Sequence, residues 1–478
     1  MPARVWILWL LFLVRGAFYC QLLPLWEGWD EYAHLAWIQH WIATGTLPKL
    51  SDGVSKEIDE SLRLTPLPAE LRWMGPPYLT HEQWWALPEG DRNARRAALR
   101  AIPPASANAA ASRYFQAYEA QQPPLYYWVL SLPARAAPNW AIEKRVQMLR
   151  LFSVLLASLC LPFTWLLARE VLPDALQLLP VAILAAAPGL AIDVARVGND
   201  ALMIPAAAAV TWLLARRQAN GGLAGAALGT ALLAKATALA LLPAIIVLWW
   251  RKSWPGLAIA LTVAAAIAGW WYVRNLLLGL SLTGWLVDKQ THSVLPGISR
   301  IDWLSAVDVE AKSFLWFGGW SFLTLKAWMY RIPEALGVIA AIGLIARRPP
   351  RLAAPITIVV FALIAYFWGI LVYFGSQGVP NIPGWYLWAF APAMCVLFTA
   401  GLGRAAGILI VIFALLDLYG ASTIMAPYYA GLVPHNRAAL SMFSDAASRL
   451  GLAWSLIAAW VVSTLAIPAL VWRSPGRR

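Results

Sequence analysis

The sequence is short of charge. Of its 478 residues only 13% are Asp, Glu, Lys or Arg, against roughly 25% in an ordinary soluble chain. With 60% hydrophobic residues and a mean hydropathy of +0.62, this excludes a soluble globular domain and points to a polytopic membrane protein. Cysteine is scarce too. Cys20, Cys160 and Cys395 lie in separate apolar runs, without the spacing of a disulfide framework or a zinc site. No internal repeat is evident, which argues against a transporter built from two related halves. Within the apolar runs, ionisable residues are limited to Arg15, Asp193 and Asp417. That scarcity speaks against a charged path through the membrane. The first run, "MPARVWILWLLFLVRGAFYC", is followed by aromatics and Pro rather than small residues suited to cleavage. It is expected to be a retained signal-anchor helix.

Acidic residues are fewer than basic ones, 24 against 37, for a net charge of +13. The basic residues cluster at the ends of apolar runs, so the imbalance is a topology signal with anionic lipid headgroups as its counter-charge. No nucleic-acid partner is expected. Runs near the ~20-residue spanning length predict about twelve spans. They fall at about 5–24, 148–168, 176–195 and 201–215, on both sides of Lys235, and at about 255–273. The rest end at Arg347, Arg348 and Arg351, at about 374, before Arg404, at about 423 and before "RSPGRR". With the N-terminus inside, clusters such as Arg216/Arg217 and Arg251/Lys252 fall on one face, and the two long inserts and "ARVGND" on the other. The expected organisation is a first transmembrane helix (1–24), an extracytoplasmic loop with juxtamembrane helices (25–146), helices 2–7 (147–274), a second extracytoplasmic loop (275–331) and C-terminal helices (332–478). In the first loop, "DEYAHLAWIQHWIATG" reads as a helix capped by Gly45, and "DRNARRAALRAIPP" as a basic helix stopped by Pro-Pro. "QQPPLYYWVLSLPARAAP" is short and Pro-interrupted, and reads as a helix lying in the interface.

This topology brings Asp30, Glu31 and His34, then Arg196, Asn199 and Asp200, then Lys235 and Arg274 to the outer face. Adjacent carboxylates repel if both are buried and ionised, so Asp30 and Glu31 need water or a cation nearby. One of them can serve as general base towards a hydroxyl. The plainer alternative for Asp30, and for Asp200, is capping the helix that follows. Lys235 either snorkels to the interface or binds an anionic headgroup, and Arg274 after "GWWY" has the same two readings.

The ordered set "WDEYAH", "YEAQQPPLYYW", "RLFSVLLASLCLPFTWLLAREV", "ARVGND" and "LLAKATAL" resembles the GT-C glycosyltransferases over roughly the first 280 residues. The likeness is greatest to the branch of protein O-mannosyltransferases and lipid A aminoarabinose transferases. The resemblance implies an all-α GT-C-like bundle and a polyprenyl-phosphate sugar as donor, with inverting transfer to an acceptor hydroxyl on the extracytoplasmic face. It implies Asp30 as base, Glu31 as its helper, Asp200 with Asn199 at the second-loop position, and Lys235 on the donor phosphate. Pro123, Pro124 and Tyr126 would shape the lipid cavity. The resemblance assigns no role to His34, which either binds donor or acceptor or anchors the helix it sits on. Relatives often carry Lys or His where this chain has Gln122, so Arg196 or Arg274 would replace a phosphate contact. The resemblance leaves a divalent metal open, since some GT-C enzymes bind one and others do not; Asp30, Glu31 and Asp200 offer hard oxygen ligands. The expected partners are the lipid-linked sugar, membrane lipids and a protein, lipid or glycan acceptor. Composition suggests a bacterial inner membrane. A polysaccharide polymerase or ligase, and a flippase for lipid-linked saccharides, are the alternatives; sugar and acceptor stay open.

Overall fold

Residues 1–109, 117–218, 220–250, 252–284, 294–349, 351–380 and 382–472 are described by the computed structural model. Over them the chain is helical almost throughout, with one short parallel strand pair, Pro66–Leu67 with Leu79–Thr80. Arg251, part of the second loop (285–293) and the basic C-terminus (473–478) lie outside the described residues.

Seven helices are long and apolar enough to cross a membrane, or eight if the bent pair α6 (Asp174–Ala186) and α7 (Pro188–Val194) is one span. The others are α1 (Ala3–Leu22), α5 (Ile142–Val171), α11 (Trp254–Leu277), α13 (Ala327–Arg347), α14 (Ala353–Gln377), the run α15 (Gly384–Tyr429) and α16 (Trp454–Trp472), with the shorter α12 (Trp303–Leu315) between α11 and α13. The expected twelve differ from eight for a local reason. Three expected spans are the shorter apolar helices α8 (Asp200–Ala215), α9 (Gly221–Ala234) and α10 (Ala236–Trp249), and two lie within the 46 residues of α15. That run is longer than one crossing needs, and Gly403 interrupts it with φ +62. The architecture is that of an all-α integral membrane protein.

The first loop folds as its sequence predicts. The helix α2 (Glu31–Thr44) ends at Gly45 in the left-handed region, and α3 (Glu89–Arg100) is the basic helix. The helix α4 (Leu125–Ala136) follows Pro123 and Pro124, and its 12 residues are too few to span.

Two devices hold the bundle. Where α9 meets α11, backbones touch through a stripe of small residues, the usual solution where lipid leaves no hydrophobic drive between helices. A Cβ on Gly221 would meet Gly256 O at 2.4 Å, and one on Gly225 would meet Ala260 O at 2.5 Å. Gly225→Leu should therefore force these helices apart, at about 1–3 kcal/mol or more for overpacking. Gly222→Leu, whose Cβ meets only Asn220 Oδ1 at 3.7 Å, should be tolerated. Thermal unfolding of the detergent-purified variants checks the contrast.

The second device is electrostatic. Arg15 pairs with Asp417 (Nη2–Oδ1 2.9 Å), both fully buried, and also donates to the Ala185 carbonyl. Asp417 accepts in addition from Tyr19 Oη (2.7 Å), Trp460 Nε1 (2.9 Å) and Thr464 Oγ1 (3.1 Å). One carboxylate thus ties α1, α15 and α16 together.

Candidate functional site

Asp30 stands at the N-cap position of α2 with φ +57 and makes no capping bond with its side chain. A non-glycine residue held there stores on the order of 1–3 kcal/mol of strain. Its backbone carbonyl accepts from Ala33 N (2.9 Å) and His34 N (3.0 Å), so the helix start depends on the main chain. The side chain is left for other work: it is partly exposed and accepts a hydrogen bond from the Tyr118 hydroxyl. Burial pushes its carboxyl above the ordinary Asp range, against the pull of that hydrogen bond and of Arg196 and Lys235.

Glu31 is differently placed. Its oxygens accept from Arg150 Nε (2.7 Å), Arg150 Nη2 (2.6 Å) and Val197 N (3.0 Å). Arg150 also donates to the carbonyls of Leu23 (2.6 Å) and Pro24 (2.8 Å). The bidentate pair fastens the end of α1, the start of α2 and the 196–199 loop to α5, and engages both Glu31 oxygens. A geometric role follows from the ion pair with Arg150.

The 196–200 segment supplies the positive charge. Arg196 Nη2 donates to Asp193 Oδ1 (3.0 Å) and Asp200 Oδ2 (2.8 Å), its Nη1 donates to the Trp29 carbonyl (3.1 Å), and its guanidinium lies 5.4 Å from the Trp29 ring centre. Lys235 Nζ donates to both Asp200 oxygens (2.6 and 2.7 Å) and stands 4.6 Å from the Tyr386 ring centre. Lys235 is 5% exposed. It does not snorkel, and Asp200 does not cap α8; each is the other's partner. Asn199 Nδ2 donates to Gln122 Oε1 (3.0 Å) and the Ala234 carbonyl (3.2 Å). The Gln122 position, where relatives often carry a cation, thus bridges the head of α4 to the 199 loop.

His34 shares a face of α2 with Asp30. Its Nδ1 is 2.9 Å from the Tyr127 hydroxyl and 3.9 Å from Glu119 Oε2. Burial first, then Arg196 and Lys235, hold the ring well below the usual histidine range, so it is neutral. Its Nδ1 and the Tyr127 hydroxyl are partners in one hydrogen bond. Tyr126 is structural in its contacts: its hydroxyl pairs with Ser153 Oγ and accepts from Gly198 N, both at 2.8 Å. Pro123 and Pro124 are buried at the head of α4. Stacked aromatic pairs flank the site, Trp29 with Trp385 (4.3 Å) and Tyr32 with Trp320 (6.0 Å).

Arg274 stands apart. It lies over Trp271 (4.7 Å) and donates to Asn275 Oδ1 (3.3 Å), contacts that do not include the carboxylate cluster. The three candidate metal ligands do not assemble either, since the oxygens of Glu31 and Asp200 are bonded to Arg150, Arg196 and Lys235. Sequence reading passed over Arg150, Glu119 and Glu27. Glu27, fully buried, accepts from His81 Nε2 (2.8 Å), Ser321 Oγ (2.5 Å) and Tyr429 Oη (3.2 Å). It pins the segment before Asp30 to His81 of the same loop, to Ser321 of the second loop and to Tyr429 at the end of α15.

Residues 121–272 match the model of the family described as dolichyl-phosphate-mannose-protein mannosyltransferase. The match covers less than half of the chain, and over that segment it bears out the resemblance to the GT-C glycosyltransferases carried by the ordered motifs. Among solved structures the chain is similar to ArnT from Cupriavidus metallidurans bound to undecaprenyl phosphate. The identity is 18%, with 73% of this chain and 66% of that chain covered and a TM-score of 0.45. It is also similar to the Archaeoglobus fulgidus oligosaccharyltransferase in the apo form, at 14% identity, 96% and 56% coverage and a TM-score of 0.37. The chain spans less than two thirds of the length of either structure. No curated protein sequence matches it.

Proposed function

We propose that this integral membrane protein transfers a sugar from a polyprenyl-phosphate donor to an acceptor hydroxyl, with inversion, on the extracytoplasmic face, and that Asp30 is the general base. The observation that carries this reading is a contrast within the cluster. Glu31, Asp193 and Asp200 are each bonded to Arg or Lys, while Asp30 is partly exposed and bonded only by a tyrosine hydroxyl among the described residues. A carboxylate made more basic by burial, within reach of water-borne substrate, suits proton abstraction near neutral pH.

In a single displacement the acceptor oxygen gives its proton to Asp30 and bonds the anomeric carbon from the face opposite the phosphate. The bond from that carbon to the phosphate oxygen breaks, its electron pair staying on the phosphate, and the configuration inverts. The leaving group departs as a phosphate monoester anion and needs no general acid; positive charge at Lys235 and Arg196 stabilises it. The donor phosphate would compete with Asp200 for these cations. Glu31 acts through Arg150, fixing the backbone that presents Asp30. Trp29, Tyr32, Trp320 and Trp385 supply apolar faces for sugar rings. The organisation into loop and helix segments at 24, 146, 274 and 331 belongs to the same proposal, as does a bacterial inner membrane for its location.

Incubating the purified protein with a panel of polyprenyl-phosphate and polyprenyl-pyrophosphate sugars, read by mass spectrometry, tests the reading. Consumption of a monophosphate-linked donor is expected. Use of pyrophosphate-linked donors alone would favour a polymerase or ligase. Lys235→Ala should weaken donor binding by about 10–100-fold, the scale of a charged hydrogen bond. Unchanged donor affinity would leave Lys235 as a partner of Asp200 only. A cysteine replacing Gly90 should react with impermeant reagents from the extracytoplasmic side alone.

A further inference from the structure

Glu119 has no part in the displacement above, and its surroundings are unusual. It is 4% exposed and lies in the turn Tyr118–Gln121 just before Pro123. Its neighbour Tyr118 donates to Asp30. Because Asn199 Nδ2 donates to Gln122 Oε1 (3.0 Å), the amide nitrogen of Gln122 is left to donate to the Glu119 carboxyl. The second oxygen, Oε2, has no hydrogen-bond partner. Its nearest polar atom, His34 Nδ1 at 3.9 Å, is already served by the Tyr127 hydroxyl.

The charges around it do not balance in favour of an ionised Glu119. Four carboxyls, Asp30, Glu119, Asp193 and Asp200, share two cations, Arg196 and Lys235. The ion pairs of those cations go to Asp193 and Asp200. A buried carboxylate oxygen with neither cation nor donor is strongly disfavoured relative to the neutral acid. The groups facing Glu119 are Asp30, Tyr32 and His34 from α2, Tyr118 beside it, Tyr127 from α4, Arg196, Lys235 and Tyr386. Burial, then Asp30, push its carboxyl up to about 8, while Lys235, Gln122 and Arg196 pull the other way.

We propose that Glu119 is a donor-binding residue that keeps its proton while Asp30 is ionised, and that its unpartnered oxygen donates a hydrogen bond to the phosphate of the lipid-linked sugar. The inference rests on the donor class proposed above. A neutral acid offers an anion a donor, whereas an ionised Glu119 repels it. Binding of the phosphate is therefore gated by one proton, at the place where Gln122 removes a cation.

Two measurements on the full-length protein in detergent test this. The infrared carboxyl C=O band, taken as wild type minus Glu119→Gln without ligand, should be present at neutral pH and vanish as pH rises beyond about 8. Undecaprenyl phosphate should bind wild type and Glu119→Gln alike at about pH 6.5. At about pH 9.5 the wild type should bind about tenfold more weakly than the Gln variant. Titration of the ligand itself is common to both proteins and cancels. Lack of the difference band at neutral pH, or parallel affinities of the two proteins across the range, overturns the proposal. If neither protein binds undecaprenyl phosphate at any pH, the donor class fails and the phosphate contact with it, although the band still shows the proton on Glu119.

Discussion

Replacing Asp30 with asparagine is expected to slow sugar transfer by about 10²–10⁴-fold, the usual contribution of a positioned general base, in a protein that folds and inserts normally. Folding should survive because the α2 start is held by the Asp30 carbonyl, with no side-chain cap. Asparagine also tolerates the left-handed backbone better than other non-glycine residues. The amide oxygen can still accept from Tyr118, so the local hydrogen bond is kept and basicity alone is lost. Donor affinity should be unchanged or improved, since a negative charge leaves the neighbourhood of the phosphate. The sign of the pH dependence follows from burial. Because the Asp30 carboxyl is raised above its ordinary range, the wild-type rate should decline with falling pH sooner than a solvated aspartate would cause. Measuring transfer and donor binding separately on the same preparation decides the matter. Near-normal turnover by Asp30→Asn would remove the base from the mechanism.

The residues that sequence reading brought together were those marked by cost. Carboxylates and cations beside apolar runs are expensive unless paired or functional, and Asp30, Arg196, Asn199, Asp200 and Lys235 do converge. Their pairing was less legible. Lys235 looked like a snorkelling lysine because its partner Asp200 lies 35 residues earlier, beyond any local pattern. Arg150 stood at the end of an apolar run, where a basic residue reads as topology, and nothing nearby tells that it reaches back to Pro24 and Glu31. Glu119 was overshadowed by the Pro-Pro that follows it. The twelve expected segments are all helical, but apolarity marks burial as well as lipid contact, and α8, α9 and α10 are apolar yet short. The spacing of Gly221, Gly225 and Gly229 was the available signal for close packing of α9.

Asp417→Leu should be the most damaging single change within the spans. Asp417 and Arg15 are separated by 402 residues in sequence and by one ion pair in space. Removing one partner of a buried pair costs about 3–5 kcal/mol, because the other is left charged and desolvated. Here the loss is asymmetric. Without Asp417, Arg15 loses its counter-charge, and Tyr19, Trp460 and Thr464 lose their acceptor. Without Arg15, Asp417 keeps those three donors, so Arg15→Met should be milder. The double replacement should recover part of the Asp417→Leu loss, since the unpaired charge goes; the recovered part is the coupling energy of the pair. Thermal unfolding in detergent gives the order, and no recovery would mean that the ion pair contributes nothing beyond its hydrogen bonds. Transfer per folded molecule should stay normal in Arg15→Met, because Arg15 shares no bond with the Asp30 and Asp200 cluster among the described residues. A folded Arg15→Met protein that had lost its activity would instead place Arg15 on a path through the membrane, and would return weight to transport of a lipid-linked saccharide.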